Sequence, residues 1–338
     1  MKAYRIQSPH TIGLDELAAQ PVGETCVKLK NLICGIAGTD LAVYSGERPV
    51  QYPIIPGRQC VGFVSEVGSE VTGLARGNRV VVYSHASCHT CKACKDARYY
   101  DCEKPAVFGV DDNGFLSDFS VVSADDVFAI PDRLKDEEAI FTEHTSLAIN
   151  VMSRLNIEKG EHLVIVGASI VGIILAQVAM YYQAVPIVVD MHEDRLDIAK
   201  QAGVYYTVNT VEDDAGKKVL SLTGGHMADA CAFMSSSTVP LANAFDYCCK
   251  NGRVAIVGRA ASMQDDLKCS LITLLEKNLD IFSVTDCGKN YPSAINMLAN
   301  RTVAVDMLPT NIVPFAEAGE AIEKQSADDG AGKLLVKV

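Results

Sequence analysis

Runs of apolar residues divide the chain into two parts with different periodicities. In roughly the first 145 residues the apolar runs are short and rich in β-type residues, as at Cys26–Leu29, Val61–Val67 and Arg79–Tyr83, and glycines punctuate them. Short strands with frequent turn signals are typical of all-β structure. The first part is therefore predicted to be an irregular β-barrel with excursions.

From Glu143 onwards, strand and helix patterns alternate. Near-continuous apolar strands separated by helices are typical of a parallel sheet covered on both faces, so this part is predicted to be a doubly wound α/β domain. The alternation stops near Asp286, and the last ~50 residues, with one helix and a strand or two, are expected to return to the first part. The strands are predicted at His162–Val166, Pro186–Asp190, Ala230–Met234, Arg253–Val257 and Leu279–Val284, and helices at Ile170–Gln183 and Arg195–Ala202.

Composition and charge narrow the classes of function. The 338 residues exceed the usual size of a single core, which agrees with two domains. The net charge of −12 repels nucleic-acid phosphates and anionic lipids, so neither is an expected partner. The apolar run Leu163–Met180 is long enough to span a bilayer, but Gly167 and Gly172 interrupt it, and a buried strand, turn and helix is the preferred interpretation. With no secretory signal recognised, a cytoplasmic protein is predicted.

A glycine pattern lies between the first strand and the first helix of the α/β part, in Val164-Ile-Val-Gly167-Ala-Ser169-Ile-Val-Gly172. Its outer glycines permit the tight turn and close helix packing of a dinucleotide site, although Ser169 in the middle position would crowd the pyrophosphate. Asp190 ends the next strand, where a carboxylate binds ribose hydroxyls and repels a 2′-phosphate, which favours NAD over NADP. A βαβ unit without nucleotide is the alternative. The predicted cofactor contacts are Gly167, Ser169, Ile170, Val171, Gly172, Asp190 and Arg195.

Four of the twelve cysteines form a tight cluster, C-x2-C-x2-C-x7-C, at Cys88, Cys91, Cys94 and Cys102. Four thiolates at this spacing can surround one tetrahedral Zn²⁺ and leave no position for substrate, so a structural zinc site is predicted. A coincidental cluster and a redox switch are the alternatives. The other eight cysteines are expected to be reduced core thiols. His85 and His89, which flank the cluster, are expected to be structural or exposed.

Together these features resemble the zinc-containing medium-chain dehydrogenase/reductase family, in its alcohol, sorbitol and polyol dehydrogenase branch. The resemblance implies a GroES-like catalytic domain, a Rossmann domain, a cleft between them, a small-molecule substrate and a homodimer or homotetramer. The expected domains are 1–147, 148–286 and 287–338, the last returning to the catalytic domain. The matching segments are Gly35-Ile-Ala-Gly-Thr-Asp40, Tyr44-Ser-Gly46, Pro56-Gly-Arg-Gln59, the cysteine cluster, Phe108-Gly-Val110, Glu143 and the nucleotide turn.

The family's catalytic zinc ligands are missing at the matching positions. Ala37 stands where the family pattern G-I-C-G-T-D has its cysteine, and Arg58 and Gln59 stand where P-G-H-E has its histidine and glutamate. Ala42 replaces a relay histidine. Glu143, which matches the acid beside the metal, is one carboxylate where catalytic zinc needs about three protein ligands. One structural zinc and no catalytic zinc are therefore predicted.

Arg58 is the candidate for replacing the metal's positive charge, because a guanidinium is permanently charged and presents planar donors. We predict that it pairs with Glu143, since an unpaired buried carboxylate costs several kcal/mol. In one alternative Arg58 points to solvent and the pocket has decayed. In another, His85, Glu143 and His144 rebuild a metal site.

Three further residues are candidates at this site. Thr39 keeps the hydroxyl that in the family relays a proton from the alcohol, or is simply a turn threonine. Tyr44 binds substrate or lines the cleft wall. His144 is a candidate general acid because imidazole titrates near neutral pH, or is a hydrogen-bonded neighbour of Glu143.

These residues favour an NAD-dependent oxidoreductase that works without catalytic zinc and moves a hydride to or from a cyclic alcohol, sugar or polyol, or its ketone. Reduction of a conjugated C=C bond is a related alternative, because it needs less Lewis acidity. A non-catalytic NAD-binding protein is the alternative from another class. A shaped polar pocket at Ala37, Arg58, Gln59 and Glu143 would favour the enzyme, and a collapsed apolar one the binding protein.

Overall fold

The computed structural model describes residues 1–88, 90–96, 102–234, 241–258, 270–285, 290–327 and 332–338. Two compact units divide the chain: Met1–Glu143 together with Pro309–Val338, and His144–Leu308. One is rich in strands and the other contains a parallel sheet with helices, so the predicted α/β class is confirmed. Within the described residues, no helix combines the length and apolar character needed to cross a membrane.

The first unit is built mainly from strands. Its strands are β1 (Lys2–Ser8), β2 (Thr11–Glu16), β3 (Cys26–Ile36), β4 (Gln59–Val67), β5 (Arg79–Val82), β6 (His85–Ala86), β7 (Ala106–Val107), β8 (Phe119–Ser123), β9 (Val127–Ala129), β16 (Thr310–Pro314) and β17 (Lys333–Lys337). Its helices are α1 (Gly38–Ser45), α2 (Lys92–Lys95), α3 (Asp136–Ala139) and α11 (Ala318–Ser326), with 3₁₀ turns at Ala124–Asp126 and Phe315–Glu317.

β3 is the central strand of this unit and positions the candidate site. The sheet runs β16-β17-β3-β4-β5-β9, and β8 also pairs with β3. Gly35 of β3 lies opposite Gln59 of β4, and Val61 of β4 lies opposite Val81 of β5, both antiparallel. In an antiparallel pair, residue numbers rise along one strand as they fall along the other. Extending the register of β4 and β5 by three residues therefore places position 58 opposite position 84. The register therefore brings Arg58 towards Ser84.

The second unit contains a six-stranded parallel sheet in the order β12-β11-β10-β13-β14-β15. The order reverses after β10, and right-handed crossovers then place helices on both faces of the sheet. The strands are β10 (His162–Val166), β11 (Val185–Asp190), β12 (Tyr206–Asn209), β13 (Ala228–Phe233), β14 (Cys248–Val257) and β15 (Asp280–Val284). The helices are α5 (Ile170–Tyr181), α6 (Glu193–Gln201), α7 (Ala215–Leu222), α8 (Leu241–Asp246), α9 (Leu271–Lys277) and α10 (Tyr291–Ala299), and α4 (Thr142–Leu155) crosses the boundary between the units.

The apolar run that could have spanned a bilayer is β10, a turn and α5, as predicted. Leu163 and Val164 are both fully buried, so both faces of β10 are covered and the strand is apolar throughout. Of the eight cysteines outside the cluster, six lie in the described residues as free thiols, four of them buried. The buried ones are Cys34, Cys60, Cys231 and Cys248, and the partly exposed ones are Cys26 and Cys249. Cys269 and Cys287 lie outside the described residues, as does His89.

The unit boundaries differ from the expected domain limits. The first change of unit falls after Glu143 instead of residue 147, and the return falls after Leu308 instead of residue 286. The stretch before Pro309 stays in the second unit because the Gln177 amide of α5 donates to the Ala304 carbonyl (2.9 Å) and accepts from the Ala304 N–H (2.8 Å). The C-terminal ~50 residues contain two helices, α10 and α11, where one was predicted.

Candidate active site and zinc site

Arg58 and Glu143 form a buried ion pair. Arg58 Nη2 lies 2.9 Å from Glu143 Oε1, and the two side chains are 6% and 13% exposed. Arg58 Nη1 donates to the hydroxyl of Thr39, which follows the first residue of α1, at 3.2 Å. The predicted pairing is therefore confirmed, and the alternative in which Arg58 points to solvent is wrong.

Both oxygens of the Glu143 carboxylate accept further hydrogen bonds. Ser84, which is fully buried, donates from Oγ to Oε1 at 2.6 Å. The Gln59 amide Nε2 donates to Oε2. A Cβ on Gly35 would lie 2.6 Å from Gln59 Oε1 and 3.1 Å from Gln59 Cβ, so a glycine at this position leaves room for Gln59 to reach the carboxylate. The result is a shaped polar cluster, and the collapsed apolar pocket is wrong.

Asp40 holds together the two chain segments that carry Thr39 and Arg58. This carboxylate is 1% exposed. It accepts hydrogen bonds from the backbone N–H of Ala37 and of Gly57, each at 2.7 Å. Burial raises the pKa of Asp40, while the two backbone N–H groups oppose that rise. Because Gly57 precedes Arg58, the carboxylate fixes the approach of the guanidinium to the start of α1.

Lys333 adds a second buried cation that the sequence analysis missed. It begins β17, is 7% exposed and donates from Nζ to the Ile36 carbonyl at 2.9 Å. Burial lowers its pKa to about 8, against the opposing pull of the negative charges of Glu143 and Asp40. Arg58 and Lys333 thus balance the two carboxylates. A lysine at the start of an apolar strand was the signal that could have marked it.

The depressed pKa of Lys333 predicts a rise in stability at alkaline pH. The folded-state pKa of about 8 lies below the ordinary 10.5, so between these values the unfolded chain binds more protons and the free energy of unfolding increases with pH. The slope cannot exceed about 1.4 kcal/mol per pH unit for one group. Urea unfolding of the wild type and of Lys333→Met from pH 7 to 10.5 should show this rise only in the wild type.

Lys337→Met is the matched control on the same strand. A hydrogen bond to Glu137 raises the pKa of Lys337, so Lys337 does not lose its proton at a lower pH in the folded state than in the unfolded chain. The control should therefore keep the rise between pH 8 and 10.5 that Lys333→Met loses. A difference between the wild type and Lys333→Met that stays constant across this range would contradict the assignment.

Tyr44 lies in the core and not with the polar cluster. Its side chain is 3% exposed, and its ring packs edge-on against His10 with centroids 5.6 Å apart. Its hydroxyl is within hydrogen-bonding distance of the His10 carbonyl (3.3 Å) and of Glu323 (3.2 Å). The prediction that Tyr44 binds substrate or lines the cleft is therefore wrong, because its hydroxyl is engaged with α11 and its ring is covered.

The histidines near the site have different surroundings. His144 is half-buried and follows Glu143 in α4, where successive side chains point about 100° apart around the helix axis. Its role as a general acid stays a prediction. His85 is half-buried at the start of β6, and its Nδ1 lies 3.0 Å from Ser84 Oγ. His85 was expected to be structural or exposed, and its contact with Ser84 has no signal in the sequence.

The four clustered cysteines are arranged to hold a metal ion. Their sulfurs all lie within 4.8 Å of one another. The Sγ atoms of Cys88 and Cys94 are 3.9 Å apart, close to the ~3.8 Å edge of a tetrahedron with zinc–sulfur bonds of about 2.3 Å. Hydrogen bonds from Thr90 lower the pKa of Cys88 to about 5, which favours the thiolate that zinc needs. In the part of the chain that the structure describes, no other His, Cys, Asp or Glu group converges in this way, including the set of His85, Glu143 and His144.

The nucleotide turn has the geometry expected of a dinucleotide site. Gly167 has φ of +111°, a conformation that favours glycine. A Cβ on Gly172 would lie 2.1 Å from the Gly167 carbonyl oxygen, so only glycine lets α5 pack this closely. Ser169 caps α5, because its Oγ accepts from the Gly172 N–H at 3.2 Å. This capping role was not foreseen from the sequence.

The remaining cofactor candidates surround the same turn. Ile170 and Val171 open α5, whose first N–H groups form the usual anion-binding end of a helix. Asp190 ends β11 and accepts from the Ala168 N–H at 2.7 Å and the His192 N–H at 2.9 Å. Arg195 is half-buried in α6. The cradle therefore fits the diphosphate and ribose of a nicotinamide dinucleotide.

Comparisons with known proteins agree with these features. The chain matches the alcohol dehydrogenase GroES-like domain over residues 23–132 and the zinc-binding dehydrogenase family over residues 171–300. An uncharacterized zinc-type alcohol dehydrogenase-like protein of Haemophilus influenzae is 30% identical over 319 residues, which cover 94% of this chain and 92% of that protein. Sorbitol dehydrogenase of Bacillus subtilis is 28% identical over 330 residues, 96% of this chain and 93% of the relative. A solved structure described as a short chain alcohol dehydrogenase (RspB) of Escherichia coli CFT073 with NADH has a TM-score of 0.90 at 24% identity, covering 100% and 99% of the two chains.

Fold, nucleotide cradle and relatives together define an NAD(P)-dependent oxidoreductase. The chain belongs to the zinc-type medium-chain alcohol dehydrogenase family.

Proposed function

We propose that this protein is an NAD(H)-dependent oxidoreductase that works without catalytic zinc and transfers a hydride to or from a cyclic alcohol, sugar or polyol, or its ketone. The observation that carries the proposal is the buried ion pair between Arg58 and Glu143. A polyol-type substrate is supported by the similarity to a sorbitol dehydrogenase. We assign one zinc ion per chain to the four clustered cysteines.

A second zinc ion does not fit the residues at the position that the family uses. Ala37 offers no ligand atom, and Arg58 brings a positive charge that repels a dication. The Glu143 carboxylate already accepts from Arg58, Ser84 and Gln59. Nothing in this group supplies the three ligands that catalytic zinc needs.

The chain's own residues can perform the work of the missing Lewis acid. The bound dinucleotide supplies or accepts the hydride. Arg58 stabilises the negative charge that develops on the substrate oxygen, because its charge is permanent and sits in a largely water-excluded place. Thr39 donates or accepts at the same oxygen, held by its hydrogen bond to Arg58. Glu143 exchanges a proton with that oxygen.

Zinc content and turnover test this function together. Protein purified without added metal should contain one zinc per chain and should turn over at least one member of a panel of polyols, cyclic alcohols and their ketones. The variant Ala37→Cys/Arg58→His/Gln59→Glu rebuilds the family's ligand set and should raise the zinc content to two. Two zinc ions in the wild type would refute the proposal. Turnover of enones alone would favour C=C reduction, and turnover of nothing would favour a binding protein.

Asp190 should make the enzyme prefer NAD(H) over NADP(H). A carboxylate at the end of β11 binds the ribose hydroxyls and repels a 2′-phosphate. Replacing Asp190 by serine is expected to shift the ratio of NADPH to NADH affinity at least tenfold towards NADPH, which is about 1.4 kcal/mol. Fluorescence titration with both reduced dinucleotides measures this ratio. Asp194→Ser removes the same charge from the exposed start of α6 and should leave the ratio within about twofold.

A second copy of the chain should bind at the edge formed by α9 and β15. Among the residues that the structure describes, β15 ends the six-stranded sheet and pairs with β14 alone, so its other edge can add a two-fold related strand. Ile281 of β15 is 41% exposed, and Leu271, Ile272 and Leu275 of α9 are 66%, 67% and 72% exposed. Leu275→Glu/Ile281→Lys should halve the mass measured by light scattering. Leu220→Glu on α7 is the control and should leave the measured mass unchanged. An unchanged mass in the double variant would refute this interface.

A further inference from the structure

Ser84 joins Glu143 to His85 in a continuous hydrogen-bonded row. Ser84 Oγ lies 2.6 Å from Glu143 Oε1 and 3.0 Å from His85 Nδ1. A carboxylate can only accept, so the single hydroxyl proton of Ser84 goes to Glu143. His85 must then donate its Nδ1–H to Ser84 Oγ. The row therefore has one direction, from His85 through Ser84 to Glu143.

The row passes through a fully buried hydroxyl that lies between two partly buried groups. Ser84 is fully buried, whereas the Glu143 side chain is 13% exposed and His85 is half-buried in β6, with its ring 5.5 Å from that of Tyr83. Arg58 also contacts Ser84 Oγ, at 3.4 Å, but a guanidinium does not release its proton in proteins. Imidazole can take a proton on one nitrogen while releasing one from the other. Ser84 and His85 are therefore suited to connect Glu143 to solvent.

We propose that Ser84 and His85 carry the proton that accompanies hydride transfer, acting as positioning and relay residues behind Glu143. This rests on the proposed function. In reduction, Ser84 Oγ first passes its proton to the Glu143 carboxylate and takes the Nδ1 proton of His85, while His85 takes a proton from water at Nε2 and leaves hydroxide to the solvent. The carbonyl carbon then accepts the hydride, the electrons of the C=O π bond move to oxygen, and that oxygen takes the proton from Glu143, which becomes a carboxylate again. Oxidation of the alcohol reverses each step.

Substitutions separate proton transfer from a merely structural role. In His85→Asn the side-chain amide can still donate to Ser84 but cannot pass a proton. Both His85→Asn and Ser84→Ala should lower kcat about 10²-fold or more, with KM changed by less than about threefold. Ser84→Thr keeps a hydroxyl and should recover most of kcat. His226→Asn, at an exposed histidine of the second unit, is the matched control and should behave as the wild type.

The protonation of His85 provides a readout that does not depend on turnover. In zinc-loaded protein labelled with ¹⁵N-histidine, the His85 signals, assigned by their loss in His85→Asn, should show Nδ1 protonated. In Ser84→Ala that preference should weaken. An unprotonated Nδ1 in the wild type would overturn the relay, and so would a wild-type kcat in His85→Asn. In either case, turnover by the wild type would still support the proposed function. A wild type that turns over no member of the panel would refute both the relay and the proposed function.

Discussion

Replacing Arg58 by methionine is expected to abolish most of the activity. In the function we propose, Arg58 supplies the positive charge next to the reacting oxygen, and removal of one such preorganised donor lowers kcat about 10²- to 10³-fold in well-studied enzymes. The pair is only 6% and 13% exposed, so the interaction is weakly screened by water. Steady-state kinetics on the best substrate of the panel measure the loss. Arg58→Lys should recover part of it, because the charge remains while the planar donors are lost.

The same substitution should also destabilise the protein. Removing one partner of a buried ion pair leaves the other charge uncompensated, which costs about 3–5 kcal/mol. In the double variant Arg58→Met/Glu143→Leu no buried charge of the pair remains, so the free energy of unfolding should return towards the wild-type value while activity stays lost. This separation of stability from activity is the decisive control. Full turnover by Arg58→Met would show that Arg58 does not act on the substrate.

Replacing Cys94 by serine is expected to have the largest effect on the structure. Cys94 is buried, and its sulfur lies 3.9 Å from that of Cys88 within the four-sulfur group. The apparent free energy of structural zinc binding is roughly 10–16 kcal/mol in zinc-finger peptides, and three thiolates retain zinc far less tightly. Zinc measured by mass spectrometry should fall from one to well below one per chain. The melting temperature should fall with it, and chelator should release the remainder faster.

Cys26→Ser is the matched control for the zinc prediction. Cys26 is a partly exposed free thiol at the start of β3 and lies outside the four-sulfur group. Its substitution should leave both zinc content and melting temperature close to those of the wild type. A Cys94→Ser protein that still holds one zinc per chain would mean that the metal binds elsewhere.

Motifs whose chemistry is local were predictable from the sequence. The glycines of the nucleotide turn are required by the conformation of that one turn. The positive φ of Gly167 and the close packing of Gly172 against the Gly167 carbonyl show this. The cysteine spacing depends on a short segment alone. β10 was predicted with its bounds intact, because a strand covered on both faces is apolar at every position. The domain limits were less predictable, because the contact of Gln177 with Ala304 joins residues 127 positions apart.

The residues of the candidate site also fall into two groups, those that could be predicted from the sequence and those that could not. Arg58 and Glu143 could be paired by reasoning about charge, because an arginine and a carboxylate directed into one site neutralise each other. Tyr44 was assigned wrongly because its neighbours in the sequence do not reveal that α11 covers its hydroxyl. Ser84 lies beside Arg58 because the register of β4 and β5 brings these two positions together, and Ser84 thereby comes within reach of Glu143. A hydroxyl of this kind has no signature in the sequence.

The sequence by itself determined the two-part architecture, the nucleotide turn and the four-cysteine site, because each depends on residue type at short spacing or on an apolar pattern. Only the tertiary structure decided that Ser84, His85 and Lys333 surround the pair. The register of β4 and β5 brings Ser84 beside Arg58, His85 follows Ser84 in the chain, and Lys333 donates to a carbonyl 297 positions away. Contacts at such separations are set by how strands pair and pack, and neither composition nor local periodicity encodes them.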